Sequence, residues 1–181
     1  MSRSPRSLVD ALDAHRLGLT ARVAALPSDV VRRRPAPHAW SLAQLLDHLL
    51  RIDRMLQFDG PQAGALVRAT SRARGLVVRG VLALPVRIPA PPGASAVMPA
   101  PDPDPTETAD AWATLRQVWR ARVAVLTPSD RHRVAFRHPI AGPLCLPDAL
   151  AFVLAHHRHH DAQVRRTLLA LGLDATTRAT G

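Results

Sequence analysis

Histidine is the side chain best placed to do chemistry here, and it is concentrated in one stretch: His156, His157, His159 and His160 surround Arg158. Two histidines four residues apart on a helix stack on one face, and two neutral imidazoles at that spacing can grip one divalent ion. His156 and His160 have this spacing. The apolar stripe Val153, Val164, Leu168 and Leu171 runs through the same segment, and His160 falls on it one turn before Val164. His157 is a weaker further candidate, and His159 points further round the helix. Another ligand must come from a different helix. His48 offers it, three residues after Leu45 and four before Ile52, at the edge of an apolar face where a buried imidazole needs a partner. Plainer readings stand beside this one. A histidine on a half-apolar face can be a hydrogen-bonded core residue, and a histidine-rich run can be a surface tract that binds nickel by chance.

Other reactive groups carry less. Cys145 is the single cysteine, so neither an intramolecular disulfide nor a CxxC zinc site can form. No base stands at a fixed spacing from it, and it reads as a helix-start residue. Asp47 and Asp161 each adjoin a candidate ligand and therefore point about 100° away from it around the helix. No carboxylate is placed by spacing as a general base. Gln44 and Gln163 lie about one turn from a candidate ligand and could orient it or a substrate, although Gln44 also suits a helix cap. His15, His38, His132 and His138 have no partner that spacing identifies. Trp112 and Trp119, at helical spacing, read as core.

These side chains need helices to position them, and apolar periodicity supplies five candidates. Residues 6–26 form the first, through Leu8, Leu12, Leu19, Val23 and Leu26. A loop over 27–40 follows, stiffened by Pro35 and Pro37. The second helix starts at a capping box, Ser41 with Gln44, and at a hydrophobic staple, Trp40 with Leu45. It runs to about Phe58, before Gly60-Pro61. Residues 63–84 look helical, with Gly75 and Gly80 weakening the pattern. The proline-dense 85–105 reads as a surface crossover, where a substrate lid could lie. Thr106 is the expected cap of a helix over 107–126, and the last helix spans 147–171 with Gly172 as C-cap. No strand pattern is visible. The expected fold is all-α: one domain over 1–181, an up-and-down-type four-helix bundle with one additional helix and a proline-rich crossover loop.

Composition narrows the function classes. The chain has 181 residues, 47% hydrophobic and 21% charged, which is ordinary for a folded domain rather than a disordered one. Aromatics are only 3%, so Leu, Val and Ala must fill the core. A formal charge of +10 invites an anionic partner. Every basic residue is Arg, however, with no Lys or Asn anywhere, which suits a GC-rich codon bias. The arginines are scattered without interleaved aromatics, so nucleic acid is not the expected partner. Gly75 to Ile88 is too short and too charged to span a bilayer, and the amphipathic start of the chain does not read as a signal peptide. A cytoplasmic protein without a membrane partner is expected.

Three stretches together carry a resemblance. Trp40-Ser41 with Gln44 and His48-Leu49, then His138-Pro139 with Gly142 and Leu144, then His156 with His160 and Gln163, resemble in order and separation the motifs of the DinB-like family, also called DinB/YfiT-like metalloenzymes. The resemblance implies a four-helix bundle that holds one divalent metal on His48, His156 and His160. Zinc or nickel comes first, with iron a further candidate, because imidazole suits all of them. It also implies a small-molecule substrate, a homodimer, and a metal-activated thiol or water as nucleophile. The activity would be a thiol S-transferase or hydrolase, the former with a low-molecular-weight thiol cosubstrate. The alternative is a non-enzymatic stress-response or binding bundle with a structural metal or none. The chain departs from the pattern at Cys145-Leu146-Pro147-Asp148, where relatives open the last helix with Ser or Thr.

Overall fold

The computed structural model describes residues 3–84 and 94–173. Helix α1 spans Pro5–Ala24, with Ser4 accepting from the Ser7 N–H at its start and Pro5 in its first turn. A short helix α2, Ser28–Arg32, lies within the stretch read as loop. Helix α3, Leu42–Arg54, opens on the expected reciprocal cap of Ser41 and Gln44. Helix α4 covers Ala65–Leu82, α5 Pro105–Ala124 and α6 Leu146–Ala170. Between α5 and α6 the chain forms an antiparallel hairpin, β1 Val134–His138 and β2 Gly142–Cys145.

Helix α1 packs against α5 and α6, and α3 packs against the same two. These four close a bundle in the ring order α1, α5, α3, α6, so α1 lies diagonally across from α3 and α5 from α6. The additional helix, α4, lies outside the ring against α6 and β2. Leucine is the commonest residue of the interior, with valine and alanine beside it, as the scarcity of aromatics required. Trp112 and Trp119 are the largest fully buried side chains, one in each half of the core. No helix among the described residues is long and apolar enough to cross a membrane.

Local competition accounts for the departures from sequence pattern. Helix α3 stops at Arg54 rather than near Phe58, because the Gln57 N–H donates to the Ala135 carbonyl at 2.8 Å and the chain turns to join the hairpin. Phe58 then packs edge-on against Trp119, with ring centroids 5.7 Å apart. Asp104, not Thr106, caps α5: its carboxylate accepts from the Thr106 and Glu107 N–H groups and is stronger there than a hydroxyl.

The expectation of no strand was wrong. Val134, Ala135 and Phe136 are all buried, and a bulge separates Val134 from Phe136, so the period-two signature of a half-buried strand is erased. Gly142, at φ 77°, sits where the turn enters the left-handed region. The His138 Nδ1 accepts from the Ile140 and Ala141 N–H groups at 3.2 and 3.0 Å, so His138 and Gly142 together build the turn. Gly60 is held under β1 so closely that a Cβ there would lie 2.0 Å from the Val134 carbonyl oxygen.

The departure at Cys145 also has a structural answer. The Cys145 N–H donates to Ser71 Oγ at 2.8 Å, and the Ser71 hydroxyl donates to Asp148 Oδ2 at 2.6 Å. One arm of a capping box, from the N-cap N–H to the carboxylate of the third helical residue, is thus relayed through a serine of α4, while no side chain accepts from the first-turn N–H groups of α6. Burial pushes the Cys145 thiol above its ordinary pKa, which argues against a nucleophile.

Candidate metal centre

His48 stands mid-way along α3, and its ring faces α6, where His156 and His160 lie one turn apart. The three Nε2 atoms converge: His48 to His156 is 3.1 Å, and His160 to His156 is 3.2 Å. All three ligand atoms lie within 4.8 Å of one another. His48 and His160 are buried and His156 is half-buried. Trp40 closes one side, its ring 4.8 Å from that of His48 and stacked 6.4 Å from that of His160. Phe152 approaches His156 from the other side at 5.9 Å.

Hydrogen bonds behind the rings decide which nitrogens carry protons. The His48 Nδ1–H donates to the Val97 carbonyl at 2.7 Å, and the His160 Nδ1–H donates to Gln163 Oε1 at 2.8 Å. Both rings therefore turn an Nε2 lone pair inward. Burial drives all three histidines toward the neutral form. His160 is pushed down to about 3 by burial and then by His48. His156 falls well below its ordinary value through burial and the neighbouring imidazoles, and His48 falls through burial against a smaller opposing effect from Val97. The cage thus holds three imidazole nitrogens and at most one proton, on His156, so one of its two short N···N contacts has no hydrogen to share. A cation would satisfy all three lone pairs. Nitrogens at about 2.0–2.1 Å from a tetrahedral zinc stand about 3.4 Å apart, a few tenths of an ångström from the two distances that His156 makes to His48 and His160.

Gln163 thus reaches a candidate ligand directly. Gln44 does not: its side chain accepts from the Ser41 N–H and donates to the Ala100 and Pro101 carbonyls. It works with Asp47, which accepts from the Ala100 N–H at 2.7 Å and from Arg51, to tie residues 97–101 across α3. That part of the crossover carries the Val97 carbonyl to His48. The remainder of the proposed lid, residues 85–93, lies outside the described residues.

His157, the weaker ligand candidate, points away from the cage. It is fully buried, and its Nε2–H donates at 2.9 Å to Asp53 Oδ1. Asp53 also accepts from Trp112 Nε1 and, at 2.5 Å, from Arg116 Nη2, so one carboxylate joins α3, α5 and α6 beside the candidate metal centre. His15 pairs with Asp161 at 2.9 Å. Sequence reasoning missed Asp53. Its only signal was a charged residue beside Ile52 on the second helix's apolar face.

A family model described as the DinB superfamily matches residues 11–164. Among solved structures, the chain is similar to YfiT from Bacillus subtilis, described as a probable metal-dependent hydrolase with an unusual four-helix bundle topology. The identity is 16%, the TM-score 0.59, and the match covers 94% of this chain and 89% of YfiT. No curated protein matches the chain.

Proposed function

This chain belongs to the DinB superfamily, and we propose that it is a metal-dependent enzyme. His48, His156 and His160 would hold one divalent ion, which would supply activation of a water or thiol nucleophile toward a small-molecule substrate. The observation that carries this reading is the convergence of three Nε2 atoms with too few protons to bond one another. Three neutral ligands leave coordination positions open, the arrangement of a catalytic rather than a structural ion. When bound, such an ion supplies Lewis acidity and lowers the pKa of a nucleophile beside it.

The protein's own residues orient and shield. Val97 and Gln163 hold the His48 and His160 rings with Nε2 inward, and Trp40 keeps water from one side of the cage. Of the three ligands His156 keeps the most surface open to solvent. Zinc or nickel suits imidazole ligands, with iron a further candidate. YfiT's description makes hydrolysis the first reaction to screen, with S-transfer from a low-molecular-weight thiol the second.

Elemental analysis of untagged protein beside His48→Ala and His160→Ala variants tests the site. One ion per chain, lost in both variants, is the expected result. Folded protein that takes up neither zinc nor nickel would remove the enzymatic reading and leave a non-enzymatic binding bundle.

A further inference from the structure

A second cavity lies away from the histidine cage. Its volume is about 560 Å³, and it runs between the start of α1, the last turn of α4 and α6. Ala151, Ala155 and Ala162 line it from a different face of α6 than His156 and His160 occupy, and none of the three cage histidines lines it. The alanines end at Cβ and so leave room above the helix. Leu8 and Leu154, both buried, and Leu82 complete an apolar floor.

The rim is cationic. Arg3, Arg79, Arg158, Arg165 and Arg166 line the groove, and no Asp or Glu does. Among the described residues none of these five forms an ion pair. Arginines scattered in sequence are thus gathered in space. Guanidinium groups around a low-dielectric floor focus a positive potential and repel one another until an anion arrives, and their forked donors match carboxylate and phosphate oxygens.

We propose that this groove binds an amphipathic organic anion, a carboxylate or phosphate-type head on an apolar chain. The head pairs with the arginine rim, and the chain lies on the leucine and alanine floor. Its volume suits a small-molecule ligand. The proposal stands independently of the metal reading.

Calorimetric titration of the full chain with decanoate and shorter homologues tests it. Decanoate binds, and each methylene removed weakens binding about fourfold. Arg79→Glu on α4 and Arg165→Glu on α6 each weaken it roughly tenfold or more, while the lysine substitutions retain most of it. Zinc uptake stays unchanged in both glutamate variants. Sedimentation with phosphatidylcholine vesicles, with and without phosphatidylglycerol, separates the sources of the head group. Capture by the anionic vesicles that Arg79→Glu abolishes assigns a bilayer lipid, and decanoate binding without capture assigns a free ligand. The proposal is overturned if decanoate does not bind, if decanol or inorganic phosphate binds as tightly, or if both glutamate variants bind as the parent does.

Discussion

Replacing Asp53 by asparagine removes the buried carboxylate that joins α3, α5 and α6 while keeping its shape. Asp53 is wholly buried and accepts from His157, Trp112 and Arg116. An asparagine has one acceptor oxygen and turns an NH2 toward one of these donors. His157 can adapt by moving its proton to Nδ1, which is buried without a partner. Arg116 cannot adapt, because it is only a donor, 1% exposed, with Nε and Nη1 already unpartnered. Asp53→Asn therefore strips a buried cation of its hydrogen-bonded anion, with Asp13 left as the more distant carboxylate, which costs about 3 kcal/mol or more. At about 2–4 °C per kcal/mol for a domain of this size, the unfolding midpoint falls by roughly 6 °C or more. Thermal and urea unfolding of metal-free protein at neutral pH, followed by far-ultraviolet circular dichroism, measures this without a contribution from metal binding. Adding Arg116→Met removes the stranded cation, so the double variant loses less than the sum of the two single ones. A change below about 1 kcal/mol, or strict additivity, would refute the argument and leave Trp112 and Trp119 packing as what holds the layer.

Two further outcomes follow from the same structure. His160 has its pKa pushed from 6.5 to about 3 by burial, so the unfolded chain takes up the proton first. Metal-free protein is then fully stabilised above about 6.5 and loses stability as pH falls toward about 3. Urea midpoints across that range should fall more steeply for the parent than for His160→Leu, and equal slopes would show that His160 is not held neutral by the fold. Ser71→Ala breaks the relay between the Cys145 N–H and Asp148 and should cost about 1–3 kcal/mol in urea unfolding, the cost of a buried group left unsatisfied. A neutral result would mean that water or Asp148 caps α6 without the serine.

Local patterns carried most of the architecture. The start of α3 was legible because Ser41, Gln44, Trp40 and Leu45 interact within one turn, and the pairing of His156 with His160 because a helix imposes its own spacing. The additional helix and the burial of both tryptophans followed from apolar periodicity. The hairpin was not legible: burial of Val134, Ala135 and Phe136 together is decided by what packs on each side, and local alternation cannot express that. Asp104 displaced Thr106 as the α5 cap by one turn's competition between two good capping residues.

Contacts between distant segments were decided only by the tertiary structure. Val97 reaches His48, Ser71 takes up the Cys145 N–H, and Asp53 draws His157 away from the cage, each across a gap in sequence that no periodicity spans. The arginines look scattered along the chain, yet five surround one groove. Residue type and spacing determined which helices form and which of their faces are apolar or carry histidine. The direction in which each polar side chain turns, and hence its proton and its partner, depends on which donor or acceptor packing brings within hydrogen-bond reach.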